Sequence, residues 1–307
     1  MSEREQARFY RELTRRNRGF IPDRTQQALR SARVLVAGCG STGGAAVEPL
    51  ARLGVQHFAL ADNGAYELNN LNRQHAYQHE IGRNKARVTA SRVLGVNPHA
   101  EVAVHEDGIQ ESNVDVLVAE VDLVVDGVDV TGRAGWEAKV LLHEAAARHR
   151  KPVITGYDMA GAQYVRCYDY RRRPRPALDG RVSRSDVAER STWMLLHRVV
   201  PTRFVPVEML ADARAHLGEP DYSVPQLVYA SLLFGAIASR MAVDLLTGRR
   251  VRKHVLVDVH RQVRPRAAVL LGLGRKPAVA AAALADLARR ERRPAAVPEA
   301  ALPEVAP

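Results

Sequence analysis

Three glycines near the N-terminus have the spacing G-x-G-x-x-G: Gly38, Gly40 and Gly43. They follow a short apolar run, residues 34–37, of the kind that forms a buried parallel strand. In this pattern the glycines permit a tight turn, a close approach of phosphate to the backbone, and close packing of the next helix, whose N-terminus attracts anions. Asp62 follows about 20 residues later, where an acidic side chain binds a ribose in dinucleotide folds. These residues alone suit an NAD-dependent oxidoreductase.

Two cations beyond Asp62 do not suit a dinucleotide. Arg73 lies in the segment NNLNRQ, residues 69–74, and Lys85 begins a predicted helix over residues 85–94. A guanidinium group binds phosphate oxygens as a planar fork, and an ammonium group binds them as a point charge. The pair therefore favours a triphosphate over NAD.

Two carboxylates follow a buried apolar strand at residues 122–125, namely Asp126 and Asp129. Side chains at the carboxyl end of a parallel strand face the ligand crevice, and carboxylate oxygens are suitable ligands for Mg²⁺. For either residue alone, a helix N-cap is the favoured explanation. With Arg73 and Lys85 already in place, we favour Mg²⁺ binding by Asp129.

The elements that must position these residues alternate between strand and helix. This order predicts an α/β fold, a Rossmann-like doubly wound sheet that is mostly parallel, mixed, and flanked by helices. We expect a helical arm at residues 1–32, a nucleotide-binding domain at 33–265, and a partly disordered extension at 266–307. Within the domain, the basic, proline-broken segment near residues 171–190 is predicted to be a mobile loop.

Composition narrows the class of protein. The chain has two cysteines, Cys39 and Cys167, which excludes a disulfide framework and a four-cysteine zinc site. No uninterrupted run of eighteen apolar residues is present and the N-terminus lacks a signal sequence, so we expect a cytoplasmic protein without a membrane span. The net charge of +11 fits a polyanionic partner, including tRNA, or simply an arginine-rich surface.

Taken together and in order, five motifs resemble the ThiF/MoeB-type ubiquitin-activating-like (E1-like) adenylyltransferases. They are GCGSTGG at 38–44, Asp62, NLNRQ at 70–74, Lys85 and Asp129. The resemblance covers roughly residues 15–162 and implies a dimeric, ATP-dependent enzyme with a mixed sheet. Its implied site consists of nucleotide contacts from Gly38, Gly40 and Gly43, ribose binding by Asp62, triphosphate binding by Arg73 and Lys85, Asn70 beside the phosphates, and Mg²⁺ binding by Asp129.

The segment RRNRG, residues 15–19, resembles the arm that delivers an arginine into the partner subunit's site in this family. Arg18 is the matching position, and Arg15 is the alternative. The resemblance therefore implies a homodimer with composite sites.

The sequence departs from the family pattern at several positions. Gly64 replaces a second acidic residue, and Val130 replaces the asparagine that often follows the metal-binding aspartate. The CxxC pairs that bind zinc and the late cysteine that forms a thioester are absent. Cys39 and Cys167 are interpreted as packing residues. We therefore expect no zinc and no enzyme thioester.

The predicted reaction is attack of a substrate carboxylate on the α-phosphorus of Mg-ATP, which gives an acyl-adenylate and pyrophosphate. A carboxylate is ionised at neutral pH, so alignment and charge neutralisation by Arg18, Arg73, Lys85 and Mg²⁺ suffice. The expected substrate is the C-terminus of a small protein or peptide. A tRNA-modifying cyclase/dehydratase of the same family, an enzyme for metabolite carboxylates, a nucleotide-binding scaffold and an NAD oxidoreductase are the alternatives.

Overall fold

Seven strands form one mixed sheet in the order β3-β2-β1-β4-β5-β6-β7 in the computed structural model, which describes residues 2–217, 219 and 222–292. The first five strands are mutually parallel, and β6 and β7 extend the sheet antiparallel. The predicted fold class is confirmed. The strands are β1 (Arg33–Ala37), β2 (His57–Ala61), β3 (Glu101–His105), β4 (Leu123–Asp126), β5 (Pro152–Met159), β6 (Ala162–Asp169) and β7 (His254–Asp258).

Helices cover both faces of the sheet. Those of the described chain are α1 (Glu3–Leu13), α2 (Asp23–Ser31), α3 (Ser41–Leu53), α4 (Lys85–Val96), α5 (Val114–Ala119), α6 (Arg133–Arg148), α7 (Arg184–Glu189), α8 (Thr192–Val199), α9 (Val207–His216), α10 (Val228–Leu246), α11 (Val259–Val263) and α12 (Arg266–Glu291). The predicted partly disordered extension covers residues 266–307, of which the part beyond residue 292 lies outside the described residues.

The apolar run of β1 is buried on both faces of the sheet. Val34 and Val36 join the core shared with α3, α4 and α10, whereas Leu35 and Ala37 join the core that contains α5 and α6. A strand buried on both faces reads as a continuous apolar run, which explains why the sequence identified it. β1 therefore forms a fixed base for the glycine loop that follows it.

Helix α10 holds α3 in place. A Cβ atom at Gly235 would lie 2.2 Å from the carbonyl oxygen of Ala45, so the absence of a side chain allows the two helices to touch. Ser231 Oγ, one turn earlier, donates a hydrogen bond to the carbonyl oxygen of Ser41 at 2.5 Å. The N-terminus of α3, where the nucleotide is expected, is thus braced by the second half of the chain.

The basic segment near residues 171–190 differs from the predicted loop. Leu178, Val182 and Val187 are buried in the core, and the Leu178 N–H donates to the hydroxyl of Tyr170 at 3.0 Å. Arg184 pairs with Glu144 and Glu111 at 2.8 and 2.9 Å and begins α7. The buried residues Leu178, Val182 and Val187 follow no sustained helical or strand period, so their burial could not be predicted from the sequence.

Two helices, α10 and α12, have the length and apolar composition of a membrane span, although the sequence has no uninterrupted run of eighteen apolar residues. Core helices of water-soluble domains meet the same criterion, and 56% of the apolar window of α10 is buried inside this fold. Helix α12 packs against α9 and α8. Length and composition alone therefore assign neither helix to a membrane.

Candidate nucleotide-binding site

A cavity of about 670 Å³ opens at the carboxyl ends of the parallel strands and extends toward α8, α9 and α12. Its volume is within the range of roughly 300–1,000 Å³ that small-molecule sites occupy. The structure brings most of the predicted site residues to its wall. Those residues are Gly38, Gly40, Asp62, Arg73, Lys85 and Asp129.

The glycine loop is held by close backbone packing. Gly38 has φ = +82°, and a Cβ atom there would lie 2.3 Å from the carbonyl oxygen of Gly127. A Cβ at Gly43 would lie 1.9 Å from the oxygen of Gly38, and one at Gly127 would lie 2.4 Å from the nitrogen of Gly43. Gly38 and Gly43 therefore shape the turn between β1 and α3, and Gly43 does so behind the cavity wall.

Gly40 differs, because the protein itself leaves space above it. The nearest atom to a Cβ there is Gln74 Oε1, at an ordinary contact distance of 3.6 Å. That oxygen is buried and has no hydrogen-bond partner among the described residues, and no side chain caps the N-terminus of α3. The open space and the uncapped N–H groups together fit a bound nucleotide phosphate.

Asp62 is fixed by the backbone around it. Its Oδ2 accepts from the Cys39 N–H at 2.6 Å, and its Oδ1 accepts from the Gly64 N–H at 2.7 Å. Burial raises the pKa of the Asp62 carboxyl, and these two donors and Lys85 oppose that effect. The carboxylate therefore links the glycine loop to the end of β2 at the position predicted for the ribose.

Lys85 is the first residue of α4 and is held in position by its backbone. Its N–H donates to the carbonyl oxygen of Gly64 at 2.9 Å, while Asn84 Nδ2 donates to the carbonyl oxygen of Asp62 at 2.8 Å. Lys85 Nζ forms no salt bridge within the described ranges, so its charge is available to the cavity. A Cβ at Gly64 would lie 3.5 Å from Nζ and 3.1 Å from Asp62 Oδ1, and a larger residue there would crowd both groups.

Arg73 is oriented by contacts from both halves of the chain. Its Nη1 donates to the carbonyl oxygen of Asn69 at 2.9 Å and to Asn72 Oδ1 at 2.8 Å, and its Nε donates to Gln226 Oε1. Its Nη2 has no hydrogen-bond partner in the part of the chain that the structure describes. The fixed guanidinium therefore retains one nitrogen for a phosphate oxygen.

Asn70 is not part of the cavity wall. It is buried, its Oδ1 accepts from the Glu67 N–H at 3.2 Å, and its carbonyl oxygen accepts from the N–H of Arg73 at 3.1 Å. The structure gives Asn70 a positioning role for Arg73, so the predicted contact with phosphate stays a prediction.

Asp129 is exposed at the cavity. Its Oδ1 accepts from the Thr131 N–H at 2.9 Å, and its Oδ2 has no hydrogen-bond partner among the described residues. No group of three or more His, Cys, Asp or Glu residues that could hold a metal occurs in that same part of the chain. One free carboxylate next to the predicted triphosphate site nevertheless fits Mg²⁺, which binds proteins through one or two carboxylates together with substrate phosphates.

Asp126 does not face the crevice. It is fully buried, where its Oδ2 accepts from Lys139 Nζ and contacts His143 Nε2 at 3.0 Å, and His143 Nδ1 contacts the Tyr170 hydroxyl at 2.9 Å. Burial opposes ionisation, but Lys139 and His143 hold the pKa of Asp126 well below its usual range. Of the two carboxylates after β4, the structure therefore leaves Asp129 for a metal and gives Asp126 a structural network.

Arg18 lies outside the cavity. Asn17 Nδ2 and Gln26 Nε2 anchor the arm to the carbonyl oxygen of Leu53, at the C-terminal end of α3. Helix α3 has 13 residues and is therefore about 20 Å long at about 1.5 Å per residue, and the nucleotide end is at its other terminus. Arg18 is exposed and Phe20 is 98% exposed, as an arm that contacts a second molecule would be.

The sequence reasoning missed two residues of this wall. Asp158, at the carboxyl end of β5, accepts from Ser41 Oγ at 2.6 Å, and burial raises its pKa. The rule that selected Asp129, a carboxylate after a buried strand, also finds Asp158. Gln226 lies just before α10, which begins at Val228, and no local signal connects it to Arg73.

The two cysteines are packing residues. Both are buried, and burial raises the pKa of the Cys39 thiol well above its ordinary value and that of Cys167 to about 12. Neither thiol is a ready nucleophile.

Comparison with known proteins shows where this site belongs. The ThiF family matches residues 14–197, which is more than half of the chain. The chain belongs to the ThiF family. It is 32% identical over 161 residues to the probable adenylyltransferase/sulfurtransferase MoeZ of Mycobacterium tuberculosis H37Rv, a match that covers 51% of this chain and 38% of MoeZ. It is also 33% identical over 150 residues to the SAMP-activating enzyme E1 of Haloferax volcanii. That match covers 47% of this chain and 54% of the E1. The chain thus spans about half or less of these relatives.

Solved structures share the fold of this ThiF-family chain. PaaA superposes with a TM-score of 0.58 at 18% identity, covering 84% of this chain and 72% of PaaA. The tRNA N6-threonylcarbamoyladenosine dehydratase TcdA of E. coli superposes with a TM-score of 0.54 at 22% identity, covering 78% and 95%. At these identities the superpositions establish the shared fold alone. The similarity in sequence comes from the matches to MoeZ and to the E1.

Proposed function

We propose that this protein is a Mg-ATP-dependent adenylyltransferase that activates a carboxylate as an acyl-adenylate. One observation carries the proposal: the uncapped end of α3, Lys85, Arg73 and Asp129 converge on a single cavity. Two cations and one free carboxylate are the groups that a metal-bound triphosphate requires. The names of the relatives, MoeZ and a SAMP-activating E1, support the same reaction.

The residues act by alignment and charge neutralisation. The N–H groups of α3 and Lys85 would hold the phosphates, Arg73 Nη2 would neutralise the charge that develops at the α-phosphorus, and Asp129 would hold Mg²⁺. Bound Mg²⁺ supplies Lewis-acid neutralisation of phosphate charge. A substrate carboxylate then forms a bond to the α-phosphorus while the bond to pyrophosphate breaks, and no general base is needed.

The expected substrate is the C-terminus of a small protein or peptide, since one relative is named a SAMP-activating enzyme. The buried thiols of Cys39 and Cys167 support release of an acyl-adenylate to another nucleophile, without an enzyme thioester. Arg18 would complete the site of a second copy in a homodimer, which its distance from its own cavity supports.

The test is pyrophosphate exchange with Asp129→Asn, an isosteric change that removes the free carboxylate. We expect the exchange rate to fall about 100-fold or more, because a metal ion contributes several kcal/mol of charge stabilisation. Raising the Mg²⁺ concentration should restore part of the rate, since binding is weakened rather than abolished.

Glu120→Gln is the matched control, because Glu120 is an exposed carboxylate at the end of α5 and outside the cavity. It should exchange at the rate of the unmodified protein. An Asp129→Asn protein with the same rate and the same Mg²⁺ dependence would rule out the metal assignment.

The net charge of +11 favours one second candidate, a tRNA substrate for the same adenylation. Binding to tRNA would weaken steeply with salt, because each neutralised phosphate releases counterions. Titration with labelled tRNA at several salt concentrations separates this substrate from a peptide, whose binding depends on salt much less.

A further inference from the structure

The cavity continues past the nucleotide end into a chamber lined by apolar side chains. This apolar chamber is formed by Trp193 and Leu196 of α8, Met209 and Leu210 of α9, and Leu284 and Leu287 of α12. These helices lie outside or at the edge of the region that the ThiF family matches. The chamber is thus built mainly by residues beyond the matched region.

Val130 joins the chamber to the reaction centre. It follows Asp129 directly, lines the same cavity, and packs, as Leu196 and Val205 do, against one apolar core cluster. The asparagine that often stands at this position would present a polar group there. The apolar wall therefore begins beside the carboxylate that we assign to the metal.

The polar residues on the chamber wall supply little free charge. Arg214 Nε donates to Asp286 Oδ2 at 2.5 Å, so its charge is paired. Partial desolvation lowers the pKa of His197, which disfavours its charged form, and its Nδ1 contacts the Thr202 hydroxyl at 3.4 Å. A ligand in this chamber gains from apolar contact and little from ion pairing.

Helix α12 is secured as one wall of the chamber by polar contacts along its length. Lys276 Nζ donates to the carbonyl oxygen of Arg203 at 2.7 Å, and Ser191 Oγ donates to Glu291 Oε2 at 2.7 Å. The chamber is therefore a built feature, enclosed by a helix that is tied to α8 and to the segment before α9.

We propose that the activated carboxylate bears a bulky apolar group close to the carboxyl carbon, and that this group occupies the apolar chamber. The proposal rests on the adenylation proposed above and specifies its substrate. A Gly-Gly terminus has no side chain to fill the space, whereas an aromatic or aliphatic group would remove apolar surface from water on both partners. A peptide that ends in such a residue and a free apolar carboxylic acid share this chemistry.

The test compares two peptides that differ only in ending with Gly-Gly or Gly-Phe, together with N-acetylphenylalanine and N-acetylglycine. We expect kcat/KM for pyrophosphate exchange to be about tenfold or more higher for the phenylalanine probes, the discrimination typical of a hydrophobic pocket. The better of the peptide and the free acid identifies the source of the apolar group. Equal or greater exchange with the glycine probes would overturn the proposal and leave adenylation intact.

Ala283→Phe fills the chamber from α12, and Ala285→Phe places the same side chain on the exposed side of that helix. The first substitution should lower kcat/KM for the phenylalanine probes about tenfold or more, and the second should not change it. Thermal melting and ATP binding verify that both variants fold. Equal effects of the two substitutions would contradict occupancy of the chamber.

Fluorescence of Trp193 gives a readout that does not need turnover. With a non-hydrolysable ATP analogue bound, N-acetylphenylalanine should change the emission saturably, and Trp193→Phe should remove the change. If every probe fails in exchange while ATP binds, the proposed adenylation is wrong. In that case, saturable binding of N-acetylphenylalanine that Ala283→Phe abolishes would still support an apolar ligand in the chamber. If no such binding is seen, the chamber proposal is overturned as well.

Discussion

Two glycines of one loop separate the requirements of folding from those of ligand binding. Gly38→Ala should destabilise the protein by about 2–5 kcal/mol, because a left-handed backbone conformation and contact with Gly127 both penalise a side chain. Gly40→Ala should cost less than about 1 kcal/mol. Its Cβ would nevertheless occupy the space left for a phosphate, so ATP binding should weaken about tenfold or more, as expected when one hydrogen bond to a charged group is lost.

Gly82→Ala isolates the backbone term, since Gly82 has φ = +84° and no atom within 4 Å of a Cβ position. It should cost about 1–2 kcal/mol. Chemical denaturation gives the stabilities, and calorimetry gives the ATP affinities. A Gly40→Ala protein that binds ATP normally would remove this residue from the phosphate site.

Acid sensitivity at the residue scale should come from His254. Burial, and then the charge of Arg166, lowers its pKa to about 4, and its Nδ1 contacts the Tyr164 hydroxyl at 2.6 Å. A histidine in the unfolded state has a pKa of about 6.5. As the pH falls below this value, the unfolded state binds a proton at His254 before the folded state does. The contribution of neutral His254 to the stability of the fold is complete above about pH 6.5 and is lost progressively as the pH falls to about 4.

The measurement is the melting temperature of His254→Gln at pH 7.5 and at pH 4.5. The decrease between the two should be smaller than in the unmodified protein, and His79→Gln, at an exposed histidine, should show the unmodified decrease. An unchanged decrease in His254→Gln would assign the acid sensitivity elsewhere, for example to the buried His143.

The contact between α10 and α3 governs the site at the scale of elements. Gly235→Ala should separate the two helices, because its Cβ would lie 2.2 Å from the Ala45 carbonyl oxygen, and it should cost about 1–3 kcal/mol. ATP binding should weaken as well, since the hydrogen bond from Ser231 to the start of α3 would be strained.

Gly95→Ala is the control, because Gly95 lies in α4 with no atom within 4 Å of a Cβ. This substitution should instead stabilise the protein by about 0.5–1 kcal/mol. Denaturation and calorimetry measure both; normal ATP affinity in Gly235→Ala would show that the brace is dispensable.

The whole molecule should work as a dimer. The arm that carries Arg18 is anchored at the C-terminal end of α3, about one α3 length or about 20 Å from the predicted nucleotide end, so we predict that its arginine serves another copy. Arg18→Ala and Arg73→Ala should each lose pyrophosphate exchange. A mixture should regain up to about one quarter of the activity per site, since a mixed dimer retains one intact composite site. No recovery after subunit mixing would contradict composite sites.

The sequence predicted those parts of the site that depend on local chemistry. The glycine spacing, Asp62, Lys85 and Asp129 lie at turns or helix starts next to buried strands, where a short pattern fixes the backbone. It failed where placement depends on distant packing. Asp126 and Asp129 are three positions apart, yet only contact with Lys139 and His143 decides that Asp126 turns inward. The apolar chamber could not be predicted for the same reason. The sequence of each helix shows that it has an apolar side, but not that α8, α9 and α12 come together around one space.

The brace on α3 has a consequence for synthesis of the chain. Ser231 and Ser41 are 190 positions apart, and Gln226 and Arg73 are 153 apart. A nascent polypeptide emerges from the ribosome N-terminus first, so the glycine loop is made long before the residues that hold it. Nucleotide affinity should therefore appear abruptly, once α10 has left the exit tunnel. Stalled ribosome–nascent chain complexes of increasing length would locate that step.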